Sequence, residues 1–77
     1  MIFLFFFHRP PFVFVSDVFT ALAFYNISFS YEANGALPRA LEAAREALCI
    51  WKLALPPGHE DISDAEELVR RLEDLMP

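Results

Sequence analysis

The sequence predicts an all-α fold in which an antiparallel helical hairpin is followed by a third helix. Asn34-Gly35 and Pro38 suit a helix end and a helix start, so a tight turn separates the first two helices. A connection this short makes the two helices antiparallel neighbours. Pro56-Pro57 ends the second helix. Apolar residues recur at three- and four-residue spacing on both sides of that stop, as in helices with one buried face.

The first helix is predicted over about residues 17–34, with Ser16 or Asp17 as its N-cap. Its apolar residues lie on every face, and a helix of that kind is buried on more than one side. The other two helices can cover only one side of it. We therefore expect the remaining face to be exposed, to be covered by the N-terminal residues, or to bind a second copy or another chain. That face contains Val18, Phe19, Leu22 and Phe29.

The second helix is predicted over about residues 37–54, between Pro38 in its first turn and the double proline. Ala36 is a poor N-cap for it. Alanines on its apolar stripe occupy little volume and let another helix approach closely. The stripe comprises Leu37, Ala40, Leu41, Ala44, Ala47, Leu48, Trp51 and Leu55.

The third helix is predicted over about residues 60–76 and is expected to pack on the second. Asp61 or Ser63 is its predicted N-cap, and Ser63 has capping-box spacing with Glu66. Its apolar stripe comprises Ile62, Ala65, Val69, Leu72 and Met76, with Leu68 and Leu75 beside it. Ion pairs at four-residue spacing are expected between Glu66 and Arg70 and between Glu67 and Arg71.

The chain has 77 residues, a formal net charge of −5 and 56% hydrophobic residues. A chain of this length forms one domain at most and buries a modest share of its surface. The acidic balance argues against nucleic acid as a partner, because phosphate binding needs clustered lysine and arginine. Cys49 is the only cysteine, so an intrachain disulfide is excluded and a reducing compartment, the cytoplasm, is favoured.

Residues 1–15, MIFLFFFHRPPFVFV, are predicted to be an apolar tail outside the helical domain of residues 16–77. Each apolar run is far shorter than the roughly 18 residues that span a bilayer. One interpretation is a secretory signal or anchor with a small-x-small cleavage site at residues 21–23. Arg9 follows the first apolar run instead of preceding it, which argues against a signal. The alternatives are a disordered or β-prone tail and a mis-annotated exon boundary.

The sequence shows no catalytic or metal-binding constellation, so we expect no enzymatic activity, no metal and no cofactor. The two histidines, His8 and His59, lie on opposite sides of the predicted helices. His59 is interpreted as part of a helix-opening turn, and Cys49 as a small apolar residue that is buried or half-buried. A glycosylation sequon begins at Asn26, and we interpret it as a chance match if the helix forms.

Residues 21–62 combine first-helix aromatics, a turn glycine and second-helix alanines at fixed intervals, followed by Leu-Pro-Pro. This combination resembles the tetratricopeptide repeat, and most closely the longer-looped variety of kinesin light chains. Ser28 replaces a usual Gly or Ala, and Ala44 replaces a large residue, which predicts a looser contact there. The resemblance is carried by Phe24, Asn26, Ile27, Tyr31, Gly35, Arg39, Ala40, Leu41, Ala47, Leu48, Ile50, Trp51, Leu55, Pro56, Pro57, His59 and Asp61.

The resemblance implies an α-solenoid fragment with about one repeat and a polar capping helix. In this family the first helices of successive repeats line a groove that holds an extended peptide or a helix. An aromatic groove with acidic and basic flanks suits a mixed apolar peptide better than a chaperone tail. By analogy, the groove residues are Tyr25, Asn26, Phe29, Glu67 and Arg71.

The leading interpretation is therefore a protein–protein interaction module whose partner is a protein or a peptide. Self-association through the first helix is a second expected mode of interaction. One alternative is a small secreted or membrane-targeted protein that acts through residues 1–23. Another is a truncated fragment of a larger tetratricopeptide protein with no independent role.

Overall fold

The computed structural model describes residues 15–77, with side chains from Asp17 onwards, and this part of the chain forms three helices. Helix α1 spans Val15–Ala33, α2 spans Leu37–Ala54 and α3 spans Glu60–Leu75. The first two form the hairpin, and α3 packs mainly on α2. The predicted all-α architecture, with a helical hairpin and a third helix, is confirmed.

The predictions for the N-terminal tail concern residues 1–15, of which residues 1–14 lie outside the described residues. The signal or anchor, the disordered or β-prone tail and the exon boundary therefore stay predictions. The predicted cleavage site at residues 21–23 lies within α1. Val15 belongs to α1, so the helix includes the last residue of the predicted tail. Ser16 and Asp17 are wrong as N-caps because both lie inside the first turn. There the Asp17 carboxylate is near the positive end of the helix dipole.

A glycine in the left-handed conformation ends α1. Gly35 has a φ of 80°, and its N–H donates to the Glu32 carbonyl at 3.0 Å. The Ala36 N–H donates to the Tyr31 carbonyl at 2.9 Å. These two bonds form a Schellman motif, which pairs carbonyls that the last helical turn leaves free. As expected, α2 then starts with Pro38 in its first turn and without a side-chain cap.

Small side chains lie where α1 contacts α2. Ala21 and Ser28 on α1, and Ala40 and Ala47 on α2, have no exposed surface. The Ser28 hydroxyl donates to the Ala40 carbonyl oxygen at 2.8 Å, so this buried polar side chain is paired. The predicted burial of the two α2 alanines is confirmed, and their size allows the helix axes to come close.

Helix α2 contacts both other helices, so it is buried more widely than one stripe predicts. Ile50 lies outside the predicted stripe and is 2% exposed, whereas Leu48 within it is half-buried. Cys49 is exposed, so the prediction that it is buried or half-buried is wrong. Its position on α2 faces neither neighbouring helix. The α2–α3 core contains Leu41, Ala44, Ile50, Trp51, Ile62, Ala65, Leu68 and Leu72.

His59, rather than Asp61 or Ser63, caps the start of α3. Its Nδ1 atom accepts a hydrogen bond from the Asp61 N–H at 3.0 Å. The Ser63 hydroxyl instead donates to the Glu60 carbonyl at 3.0 Å, so the predicted capping box does not form. The cap prediction is wrong because the helix begins at Glu60, which places both candidates inside it. The interpretation of His59 as part of a helix-opening turn is confirmed.

The charged side chains of α3 pair with the other two helices. Among the described side chains, neither predicted pair within α3, Glu66–Arg70 or Glu67–Arg71, is formed. The reason is that α1 and α2 present opposite charges closer to these groups. Such exposed pairs contribute little stability individually, but each one favours a particular placement of α3. The interhelical pairs are Arg45–Glu73 at 2.7 Å, Lys52–Glu66 at 3.9 Å and Arg71–Glu32.

One face of α1 is exposed and carries large apolar side chains. Phe19 is 63% exposed, Leu22 44% and Phe29 40%, in agreement with the prediction. Val18 is half-buried and packs against the α1–α2 core, so its assignment to the exposed face is wrong. It lies on the side of α1 that faces α2. We call Phe19, Leu22, Asn26 and Phe29, which follow one another at helical spacing, the α1 outer face.

Candidate functional site

An open cleft of about 190 Å³ lies between α1 and α3. It brings together side chains that are about 40 residues apart in the sequence but face each other in the fold. Four of the five predicted groove residues line it. The fifth, Asn26, is exposed on the α1 outer face and lies outside the cleft lining. The lining consists of Tyr25, Phe29, Asp64, Glu67, Leu68 and Arg71.

Aromatic rings form the apolar floor of the cleft. Tyr25 and Phe29 lie one helical turn apart on α1 and meet edge to face, with centroids 5.1 Å apart and planes at 86°. Trp51 of α2 contacts Tyr25 from the core side, with centroids 5.4 Å apart and planes at 53°. Because Trp51 is only 2% exposed, it holds the Tyr25 ring in place. Phe29 remains partly exposed and offers its ring to a ligand.

The Arg71 guanidinium is held at the edge of the cleft by Glu32 of α1. Both carboxylate oxygens of Glu32 accept hydrogen bonds from the guanidinium, and the Nη2–Oε1 distance is 2.9 Å. The hydrogen bond from Arg71 lowers the pKa of the Glu32 carboxyl, and the same interaction raises the pKa of the guanidinium. The pair therefore joins the two walls of the cleft and neutralises the arginine charge there.

The other charges at the cleft are negative. Asp64 and Glu67 lie one turn apart on α3, and neither forms an ion pair or a side-chain hydrogen bond with another described residue. Asp61 lies one turn before Asp64. Burial raises the pKa of the Tyr25 hydroxyl, and the carboxylates of Asp64, Asp61 and Glu67 raise it further. The phenol therefore lies in a negative electrostatic potential.

Several contributors to the cleft are missing from the predicted set. Asp64 and Leu68 line it directly, Trp51 supports its floor, and Glu32 positions its guanidinium. Asp64 stands three residues before Glu67, so helical periodicity alone places the two on one face. The roles of Trp51 and Glu32 carry no such signal, because they depend on how α1 and α2 pack against α3.

The cleft supplies contacts for binding rather than groups for catalysis. Its described lining contains neither a thiol nor an imidazole, since Cys49 is exposed on α2 and His59 caps α3. In residues 15–77, no group of three or more His, Cys, Asp or Glu side chains is placed to hold a metal ion. Rings, a leucine and carboxylates side by side suit a ligand with an apolar body and a polar end.

Within the described part of the chain, no helix has both the length and the apolar character needed to cross a membrane. Comparisons with protein families, with curated proteins and with solved structures find no match for this chain. The resemblance to the tetratricopeptide repeat therefore stays a prediction that rests on the residues quoted for it. The structure establishes a small all-helical fold in which α1 and α3 border an open cleft.

Proposed function

We propose that this chain is a protein–protein interaction module of the tetratricopeptide type, which holds an extended peptide in the cleft between α1 and α3. The observation that carries the proposal is the Phe29 ring. It stays 40% exposed in the cleft while it packs edge to face on Tyr25. Aromatic rings that are held in place on a concave surface are frequent anchors of binding. A partner covers them from water, and little side-chain entropy is lost because the rings are already ordered.

The placement of the helices supports the repeat interpretation within this proposal. First helices of successive tetratricopeptide repeats line the groove, and α1 and α3 border the cleft here. The exposed outer residues of α3, including Glu66 and Arg70, suit the capping helix that ends a solenoid. The proposed compartment is the cytoplasm, where the exposed thiol of Cys49 stays reduced.

One observation favours a related alternative, a fragment of a larger repeat protein. The α1 outer face exposes Phe19 and Leu22, where an adjoining repeat would pack. A partner repeat would leave the cleft and its proposed role unchanged. The secreted or membrane-targeted alternative depends on residues 1–23, of which residues 1–14 lie outside the described residues.

The proposal is tested by selecting peptides from a random display library on the immobilised 77-residue chain. We expect enriched peptides whose Kd, measured by fluorescence polarisation, rises at least about tenfold in Phe29→Ala. The matched control is Ile27→Ala, because Ile27 is 44% exposed on α1 but lies outside the cleft lining. Circular dichroism verifies that both variants stay helical. A selection that yields no peptide sensitive to Phe29→Ala would refute the proposal.

A further inference from the structure

We infer that the cleft selects peptides in which a lysine or an arginine stands beside an apolar residue. The inference rests on the proposed function of the cleft and adds the chemical class of its ligand. The apolar side chain lies against Tyr25 and Phe29, and the cationic group reaches the carboxylates of Asp64 and Glu67.

Two carboxylates of the cleft form no ion pair with a described residue. Asp64 and Glu67 both line the cleft, and their three-residue spacing projects them from one face of α3. A cationic side chain placed between them finds charged acceptors on two successive turns. Two acids on the other faces of α3 have partners in α2, namely Glu66 with Lys52 and Glu73 with Arg45.

The charge of the guanidinium at the cleft is already offset by a carboxylate of α1. Arg71 donates two hydrogen bonds to Glu32, so the Glu32 carboxylate offsets its positive charge. The carboxylates of Asp61, Asp64, Glu67 and Glu32 are four negative charges against this one positive charge, which leaves three negative charges. An acidic peptide would be repelled by this excess of negative charge.

The aromatic rings and the acids of the cleft are adjacent. Tyr25 meets Phe29 through its ring, while its hydroxyl lies in the field of Asp64 and Glu67. Lysine and arginine have an apolar stem and a charged end, and their cations are attracted to aromatic rings. Such a side chain can therefore place its charge beside the carboxylates while its stem stays next to the apolar residue that covers the rings. The net charge of −5 adds a long-range attraction for basic peptides.

A larger pocket beside α2 lacks this combination of features. Its described lining contains two arginines, Arg39 and Arg45, two glutamates, Glu42 and Glu46, and no aromatic ring. That pocket therefore has no ring against which an apolar side chain could stack. A further pocket, between α1 and α2, has the rings of Phe24 and Tyr31 and an excess of one carboxylate, since two glutamates face one arginine. At the cleft between α1 and α3 the carboxylates around the rings exceed the single cation by three.

The test is the composition of the peptides that the full chain enriches from the library at low salt. We expect lysine and arginine to be over-represented beside an apolar residue, and aspartate and glutamate to be depleted. The double variant Asp64→Asn/Glu67→Gln should raise the Kd of these peptides about three- to tenfold. The matched control Glu42→Gln/Glu66→Gln removes two charges outside the cleft and should change the Kd less than about twofold.

Each outcome of this test decides the inference. Peptides that depend on Phe29 but carry acidic or uncharged residues would overturn it and leave the proposed function standing. Equal effects of the two double variants would also overturn it, because the attraction would then come from net charge alone. If no enriched peptide depends on Phe29, the proposed function and the inference are both rejected.

Discussion

Side-chain volume at a few positions sets how closely α1 approaches α2. Ala40 and Ala47 have no exposed surface, and neither does Ser28, whose hydroxyl bonds to the Ala40 carbonyl. Ala44, where the repeat resemblance predicts a looser contact, is also fully covered and lies in the cluster with leucines of α3. Since interiors are close-packed, a larger side chain at these positions has no free space to occupy.

We expect Ala40→Leu or Ala47→Leu to lower the free energy of unfolding by roughly 1–3 kcal/mol through overpacking. The matched control is Ala23→Leu on the exposed side of α1. This variant should change the free energy of unfolding by less than about 0.5 kcal/mol. Urea denaturation measures the difference, with the fluorescence of the buried Trp51 as the signal. An unchanged urea midpoint in the two core variants would show that these alanines tolerate added volume.

The ends of the helices and their relative placement depend on different kinds of interaction. Gly35 ends α1 through hydrogen bonds to its own last turn, and His59 starts α3 through a bond to a residue two positions away. These interactions are local in the sequence. The Glu32–Arg71 pair is not, because it links residues 39 positions apart and fixes one helix against another. Because this pair depends on the ionised Glu32 carboxylate, the pH of the solution affects how α1 is held against α3.

We expect the contribution of the Glu32–Arg71 pair to decrease as the solution is acidified. The pKa of Glu32 is lower in the folded chain than in the unfolded chain, where it is about 4.3. The pair therefore contributes its full share to the free energy of unfolding above that unfolded pKa. That contribution is lost as the pH falls through the folded pKa. Glu32→Gln should therefore be less stable than the wild type at neutral pH, and the difference should shrink in acid.

Urea denaturation over a series of pH values from neutral to about pH 3 measures this difference. The matched control is Glu42→Gln, because Glu42 is an exposed carboxylate of α2 that pairs with no described residue. The free energy of unfolding of Glu42→Gln should stay close to that of the wild type at every pH of the series. If Glu32→Gln still has a lower free energy of unfolding than the wild type at the lowest pH, the role of Glu32 does not depend on its charge.

At the scale of the whole molecule, the α1 outer face is uncharged as well as exposed. No charged residue occurs between Asp17 and Glu32, although the chain carries a net charge of −5. Two copies of the chain repel each other because both are negatively charged. At this face, which carries no charge, they can approach without that repulsion. Covering Phe19 and Leu22 removes apolar surface from water, which favours association there.

We expect the full chain to self-associate through this face at micromolar concentration in analytical ultracentrifugation. Phe19→Ser/Leu22→Ser should raise the dissociation constant at least about tenfold, because it removes most of the covered apolar area. Neither residue lines the cleft, so peptide binding should persist in this variant. The control is Leu53→Ser, since Leu53 is 67% exposed on α2. A monodisperse wild-type monomer would show that the face is covered within the chain.

The cleft was partly predictable because its residues follow helical periodicity. Tyr25 and Phe29 share a face of α1, and Glu67 and Arg71 share a face of α3, whatever the packing. The repeat resemblance predicted that these two faces meet. It also included Asn26, which shares the outer side of α1 but points past the cleft, since one residue along a helix rotates the side chain by about 100°.

The sequence by itself determined the three helices, with bounds that differ from the observed ones by no more than two residues. Glycine and proline act on the backbone of their own position, and apolar spacing is a property of one helix, so both are readable without the fold. Only the tertiary structure decided that Val18 and Ile50 are covered and that Arg71 pairs with Glu32. Coverage and charge pairing depend on how the helices cross, and that geometry arises from contacts between residues far apart in the chain.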